Sequence, residues 1–323
     1  MSKLQFRPGF QHICQLSADK GIIFYSVADI LVYYSIFGVR CIKEDIIAIA
    51  FSIMLNHVHF EGYFKIESRM VSLMHGINTS FAKTYNSNYS LQGPVFHHGF
   101  QHSQRYGEQK IRDTFIYIGN NGKVKTPGIH AEDYRWNLIK YLASQNPFSE
   151  TIDYRTASPD LLFLLSEVLS RRRKLQPLDY ACFGEEYQRL NEKERQQLID
   201  FIICAYFFLD REKIMSLYGT YDNICTAMNA VSGSEHGFSD DLSKEDYRHY
   251  YKIMSICKRL GYDIPKLRSF STLSLAESSK LSTKNALSFA LEQNYDFKRL
   301  VSTLKVESGC TDYELAKFFH LLD

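Results

Sequence analysis

Two histidines one residue apart, His57-Val58-His59, are residues whose type and spacing can do chemistry. They open a run of β-favouring residues, His57 to Phe64. Strand side chains alternate, so both imidazoles project from one face while Val58 enters the opposite layer. Two imidazoles on one face make a two-pronged site for a divalent metal. The same spacing also describes two unrelated polar residues on a solvated strand, and the pair alone does not decide.

The elements around the pair can be read from periodicity. Residues 10–16 alternate and precede the turn-like Ser17-Ala18-Asp19-Lys20-Gly21, which predicts a first strand and then a short extended piece, Ile22 to Tyr25, in a hairpin-like opening. Ser26-Val27-Ala28-Asp29 is an N-cap with an acid three residues on, leading into a helix from about 27 that stops near Gly38. Asp45 to Met54 reads as a strand, with Leu55-Asn56 as a tight connection to the His57 strand. A helical stripe (Met70, Leu73, Met74, Ile77, Phe81) covers Glu67 to about Tyr85. Residues 91–104 read as loop and short strand, and Gly107 to Asn120 as a helix ended by Asn120-Asn121-Gly122. This order implies an α+β domain, an antiparallel sheet with helices on one face.

Beyond about residue 150 the chain is mainly α-helical, with cap-like starts at Ser158-Pro159-Asp160, Asn191-x-x-Glu194, Ser243-x-x-Asp246 and Thr311-x-x-Glu314. Asn229 to Asp241 is the best internal loop. The expected division is 1–150, which holds the chemistry, and 151–323, a helical domain of unassigned role.

In its context the histidine pair belongs to a longer series. Met54-Leu55-Asn56-His57-Val58-His59-Phe60 follows an apolar strand; the 67–85 helix comes next, and then Gly93-Pro94-Val95-Phe96-His97-His98-Gly99-Phe100. Phe115-Ile116-Tyr117-Ile118-Gly119-Asn120-Asn121 and Glu132-Asp133-Tyr134-Arg135-Trp136 complete it. This series resembles the REP-associated tyrosine transposases, single-tyrosine HUH transposases of bacteria, over about residues 10 to 140. The resemblance implies a ferredoxin-like core and a metal-dependent DNA nicking and strand-transfer enzyme acting on single-stranded or hairpin DNA. Carried over by residue, it makes His57 and His59 metal ligands, Asn121 the third ligand one helical turn from Tyr117, and Tyr117 the nucleophile. Leu55 stands in place of the usual Pro, Gly99 where an Arg commonly follows the aromatic, and Gly122 in place of the Pro after the helical Asn. The Gly99 departure removes one DNA contact, and Gly122 leaves the end of the tyrosine helix open to fraying.

The residue types suit that chemistry on their own terms. A tyrosine hydroxyl, with a pKa of about 10, is a poor nucleophile until assisted, and the phosphate it attacks repels an oxyanion. A divalent ion, Mg²⁺ or Mn²⁺, answers both problems by polarising the phosphate, and imidazole ligands suit Mn²⁺ better than Mg²⁺. The resemblance implies that attack leaves a 5′-phosphotyrosine and a free 3′-OH, so rejoining needs no nucleotide, in keeping with the lack of a P-loop motif.

Lys+Arg 38 against Asp+Glu 36 gives a net charge of +2, and 45% hydrophobic with 23% charged residues excludes a wholly disordered, collagen-like or coiled-coil chain. Residues 1–150 hold 15 basic and 11 acidic residues, net +4, against 23 and 25 in the remainder, and carry 8 of the 11 His. The first half is therefore the expected place for an anionic partner or a metal. Seven scattered Cys without a CxxC pair fit a reducing, cytoplasmic setting. No apolar h-region or run of membrane-spanning length is seen, and a monomer or homodimer is expected. His97, His98 and His102 read as a surface group or DNA-phosphate contacts. Arg171-Arg172-Arg173-Lys174 reads as a solvated helix end or a phosphate clamp. Tyr295 to Leu304 and Thr311 to Leu322 only superficially resemble a helix-turn-helix. Two other functions compete: a domesticated, non-catalytic DNA-binding regulator, and a relaxase of the wider HUH group. Relaxases commonly place the histidine strand after the tyrosine, and here His57 precedes Tyr117.

Overall fold

In the computed structural model, which describes residues 6–126, 128–230, 247–264, 267 and 295–321, four strands form one antiparallel sheet. These are β1 (Gly9–Leu16), β2 (Ala48–Ile53), β3 (His57–Phe64) and β4 (Gln101–Arg105), in the order β2-β3-β1-β4. The pleat sorts their side chains. His12 lies opposite Glu61, Cys14 opposite His59 and Leu16 opposite His57, lining one face; Ile13 opposite Phe60 and Gln15 opposite Val58 line the other.

Two helices cover the Val58 face. In α1 (Val27–Lys43) the Phe37 ring sits 4.9 Å from Phe60 and 4.8 Å from Phe51; in α2 (Glu67–Tyr89) Asn78 donates to Gln15 Oε1 at 2.7 Å. Full burial of each such Phe stabilises the layer by roughly 1.5–3 kcal/mol. The expected capping box opens α1, with Ser26 accepting from Asp29 N and Asp29 from Ser26 N. The helix does not stop at Gly38 but runs five residues further. A Cβ at that position would lie 2.4 Å from the Tyr206 carbonyl oxygen, so Gly38 admits a neighbour rather than ending the helix.

A third helix, α3 (Gly107–Lys125), lies on the opposite face, against the histidines. The expected end at Asn120-Asn121-Gly122 is overridden, and α3 continues through all three to Lys125. Gly122 is buried in that helix, where a Cβ would fall 2.1 Å from Tyr134 Cγ, so the glycine makes room for a ring. Residues 22–25 also differ from expectation. They form no strand, because β3 and β4 already occupy both edges of β1; instead Ile23 and Phe24 donate their amides to the Leu55 carbonyl at 3.0 and 3.1 Å.

Short 3-10 turns between Ala131 and Leu142 lead into the helical part. It comprises α4 (Pro159–Arg173), α5 (Glu185–Arg189), α6 (Glu192–Ala205), α7 (Arg211–Tyr218), α8 (Tyr221–Ala230), α9 (Arg248–Arg259), α10 (Tyr295–Ser308) and α11 (Asp312–Phe318). Ser158, Asn191 and Thr311 cap α4, α6 and α11 as their sequences predict. The Ser243-x-x-Asp246 cap and the loop expected after Ala230 lie outside the described residues. One apolar core runs continuously from Phe10 to Met228. A second joins Ile22, Tyr25, Met54, Leu55 and Tyr134 to residues from Tyr247 to Leu321. The α10–α11 pair contributes Leu304, Phe318 and Phe319 to that second core, and Lys317 of α11 is buried. No helix among the described residues is long and apolar enough to cross a membrane.

Candidate active site

Strand β3 delivers His57 and His59 side by side, ring centroids 4.9 Å apart and perpendicular. The Tyr117 ring on α3 meets His59 edge-on at 5.5 Å and a third histidine, His12 of β1, at 5.7 Å. Asn121 follows Tyr117 by one turn and donates Nδ2 to its carbonyl at 3.2 Å, leaving Oδ1 as the atom it can offer a ligand. One turn further, the buried Lys125 ammonium exerts its charge on both His57 and His59. Both ends of this row reach the histidine pair, so Asn121 lies between them on the same helix face. Relative exposures are 1% for His57, 0% for His59, 8% for Tyr117 and 7% for Asn121.

Each metal-ligand candidate on β3 is held from behind. His57 Nδ1 donates to Asn56 Oδ1 at 2.8 Å, which fixes the proton on Nδ1 and leaves Nε2 with a lone pair. Asn56 is itself anchored: its Nδ2 donates to the Lys20 carbonyl at 2.8 Å, and its Oδ1 also accepts from the Tyr247 hydroxyl at 2.7 Å. His59 Nδ1 stands 3.0 Å from His12 Nε2, whose Nδ1 in turn stands 2.9 Å from Arg105 Nη2. The remaining nitrogen, His59 Nε2, is buried without a hydrogen-bond partner among the described residues. Glu61, two residues along the same face, also keeps both carboxylate oxygens buried with no hydrogen bond among the described residues.

Burial decides the charge states. It pushes His12 and His57 well below the usual imidazole range, with His59 adding to the effect on both; Arg105 adds further at His12, and Lys125 and Lys317 at His57. His59 falls to about 3, through burial first and Lys125 second. Burial also drives the Glu61 carboxyl well up, against the pull of Arg105. The three rings are therefore neutral near pH 7, the form a metal ligand must have.

A divalent ion suits this donor set in position. His57 offers a lone pair on Nε2, braced through Nδ1 by Asn56, and His59 sets an orphaned Nε2 beside it, whose proton depends on the hydrogen bonds through His12. Among the described residues no group of three or more His, Cys, Asp or Glu is placed to hold a metal, so a third ligand has to be of another type, as Asn121 is.

Spacing marked His57, His59, Tyr117 and Asn121, and missed His12, Asn56, Glu61, Arg105, Lys125 and Tyr247. Lys125 had a signal, standing eight residues after Tyr117 on the same helix face, and Glu61 another, continuing the 57, 59 alternation. His97, His98 and His102 are exposed and away from this cluster of buried rings. Arg171 is bound to Glu167 and Asp179 and Arg172 to the Ala205 carbonyl, which commits half of the basic run to internal contacts.

No family model and no curated protein matches the chain. Among solved structures, a REP-associated tyrosine transposase bound to a REP hairpin is similar, with 12% sequence identity and a TM-score of 0.34, over 49% of this chain and 98% of that one.

Proposed function

We propose that the chain nicks and rejoins single-stranded or hairpin DNA, with Tyr117 as the nucleophile and His57, His59 and Asn121 as the ligands of a divalent metal. The observation that carries this reading is the meeting of Tyr117 with His59, 5.5 Å between ring centroids, on a buried sheet face that also bears His57. Bound there, Mg²⁺ or Mn²⁺ would polarise the scissile phosphate and stabilise the charge that builds on it. The rest falls to the protein. Asn56 and His12 orient the two imidazoles, and α3 fixes Tyr117 one turn before Asn121. Arg105 interacts electrostatically with Tyr117. Attack by the Tyr117 oxygen on phosphorus, with release of the phenolic proton, forms the phosphotyrosine bond and breaks the bond to the neighbouring 3′-oxygen, which takes up a proton and leaves as a free hydroxyl.

One feature favours the non-catalytic alternative, a DNA-binding regulator. Tyr247 and Lys317, both beyond residue 230, bear on the His57 end of the site, which is almost wholly closed to solvent. Incubating the full chain with Mn²⁺ and hairpin oligonucleotides separates the two. A covalent protein–DNA adduct that maps to Tyr117 and is lost in Tyr117→Phe supports the enzyme. Hairpin binding without any adduct supports the regulator. Calorimetric titration of His57→Ala/His59→Ala with Mn²⁺ tests the metal separately, and an affinity equal to that of the unmodified chain refutes the ligand assignment.

A further inference from the structure

Arg105, His12 and His59 form a chain of hydrogen bonds whose direction is dictated at one end. A guanidinium only donates, so His12 Nδ1, 2.9 Å from Arg105 Nη2, must accept. The single proton of a neutral His12 then sits on Nε2, and His59 Nδ1, 3.0 Å away, must accept it. Neutral His59 therefore carries its own proton on Nε2, the nitrogen that is buried with no hydrogen-bond partner among the described residues. A nitrogen that bears a proton has no lone pair for a metal.

From this we infer that Arg105, acting through His12, is a positioning residue that decides whether His59 can ligate a metal, and that Glu61 is its alternative seat. The inference rests on the proposed metal site. Glu61 lies directly opposite His12 across the β1–β3 ladder, interacts electrostatically with Arg105, and holds two buried carboxylate oxygens without a hydrogen bond among the described residues. When Arg105 swings from His12 to Glu61, the chain can invert. His12 Nε2 gives its proton to His59 Nδ1, and the proton leaving His59 Nε2 is replaced by one taken up at His12 Nδ1. Each ring keeps one proton, and His59 Nε2 gains the lone pair that a metal needs. In the arrangement observed, Arg105 holds the site in its metal-refusing form.

The tautomers are readable without metal, from ¹⁵N shifts and couplings of the imidazoles in the full chain. We expect the proton of His59 on Nε2 in the unmodified protein and on Nδ1 in Arg105→Met. Arg105→Lys, whose ammonium also only donates, should restore the original tautomer. Arg105→Met should also raise Mn²⁺ affinity in calorimetry by about tenfold or more, the scale of changes behind a metal ligand. Glu61→Gln should lower it. A His59 proton on Nδ1 in the unmodified, metal-free chain overturns the inference, as does an unchanged tautomer in folded Arg105→Met. If the tautomer shifts as expected but no variant binds Mn²⁺, the relay stands and the proposed metal site falls.

Discussion

Acid should destabilise this protein through the same three rings that make up the site, and the size of the effect can be worked out in advance. His12, His57 and His59 are all held below the ordinary imidazole range by burial, His59 to about 3. A group whose folded pKa is depressed contributes stability above its unfolded pKa, about 6.5 for histidine, and that contribution is lost as pH falls below it. Between about pH 7.5 and 5.5 the unfolded chain takes up close to one proton per ring and the folded chain none. The loss is ~1.4 kcal/mol for one ring, and about 4 kcal/mol for three, a large part of the 5–15 kcal/mol typical of a folded domain. Glu61 and Asp29 act in the opposite sense: burial raises both, so the folded form binds their protons first and gains stability as pH falls through the raised values. The isolating measurement is therefore a difference. Urea unfolding of the unmodified chain and of His59→Gln at both pH values should show a pH dependence smaller by about 1.4 kcal/mol in the variant, whatever its absolute stability. Equal pH dependence in the two proteins would mean that His59 titrates alike folded and unfolded, and the argument from burial would fail.

Other substitutions probe single contacts. Tyr117→Phe keeps the ring that packs on His12 and His59, so its melting temperature should stay within a few degrees of the original, while adducts with hairpin DNA disappear; Tyr85→Phe and Tyr134→Phe should still form them. Gly122→Ala forces a methyl into the Tyr134 ring and should cost about 1–3 kcal/mol in urea unfolding, and an unaffected midpoint would contradict the packing described. Asn56→Ala strips a buried acceptor from both His57 Nδ1 and the Tyr247 hydroxyl, at about 1–3 kcal/mol for each group left unsatisfied, and should weaken Mn²⁺ binding by freeing the His57 ring to turn. Hairpin binding by the full chain should weaken as salt rises, through counterion release; fluorescence anisotropy that is flat between low and moderate salt would contradict a phosphate-binding surface.

Local chemistry was enough to read the strand that carries His57 and His59, the capping boxes at Ser26 and Thr311, and the α+β order of the first half. Each depends on alternation, 3.6-residue periodicity, or a side chain reaching three residues along its own backbone. The same locality explains the misreadings. Gly38 and Gly122 look like helix ends in a one-dimensional reading, because a glycine that terminates a helix and one that admits a neighbour are the same residue. Only the approach of the Tyr206 carbonyl and the Tyr134 ring distinguishes them. The continuation of α3 past Gly122 in turn keeps Asn121 and Lys125 on the Tyr117 face. His12 and Arg105 were invisible as site residues because they are 47 and 46 positions from His59, on β1 and β4. Strand pairing, whose register comes from long-range packing, is what brings them together. The burial that neutralises the histidines is a tertiary property too, since it needs α3 laid over one face of the sheet and Tyr247 and Lys317 brought from the far end of the chain. Sequence pattern thus names the groups able to do chemistry, whereas their protonation, their bracing and their access to solvent follow from contacts between residues distant in the chain.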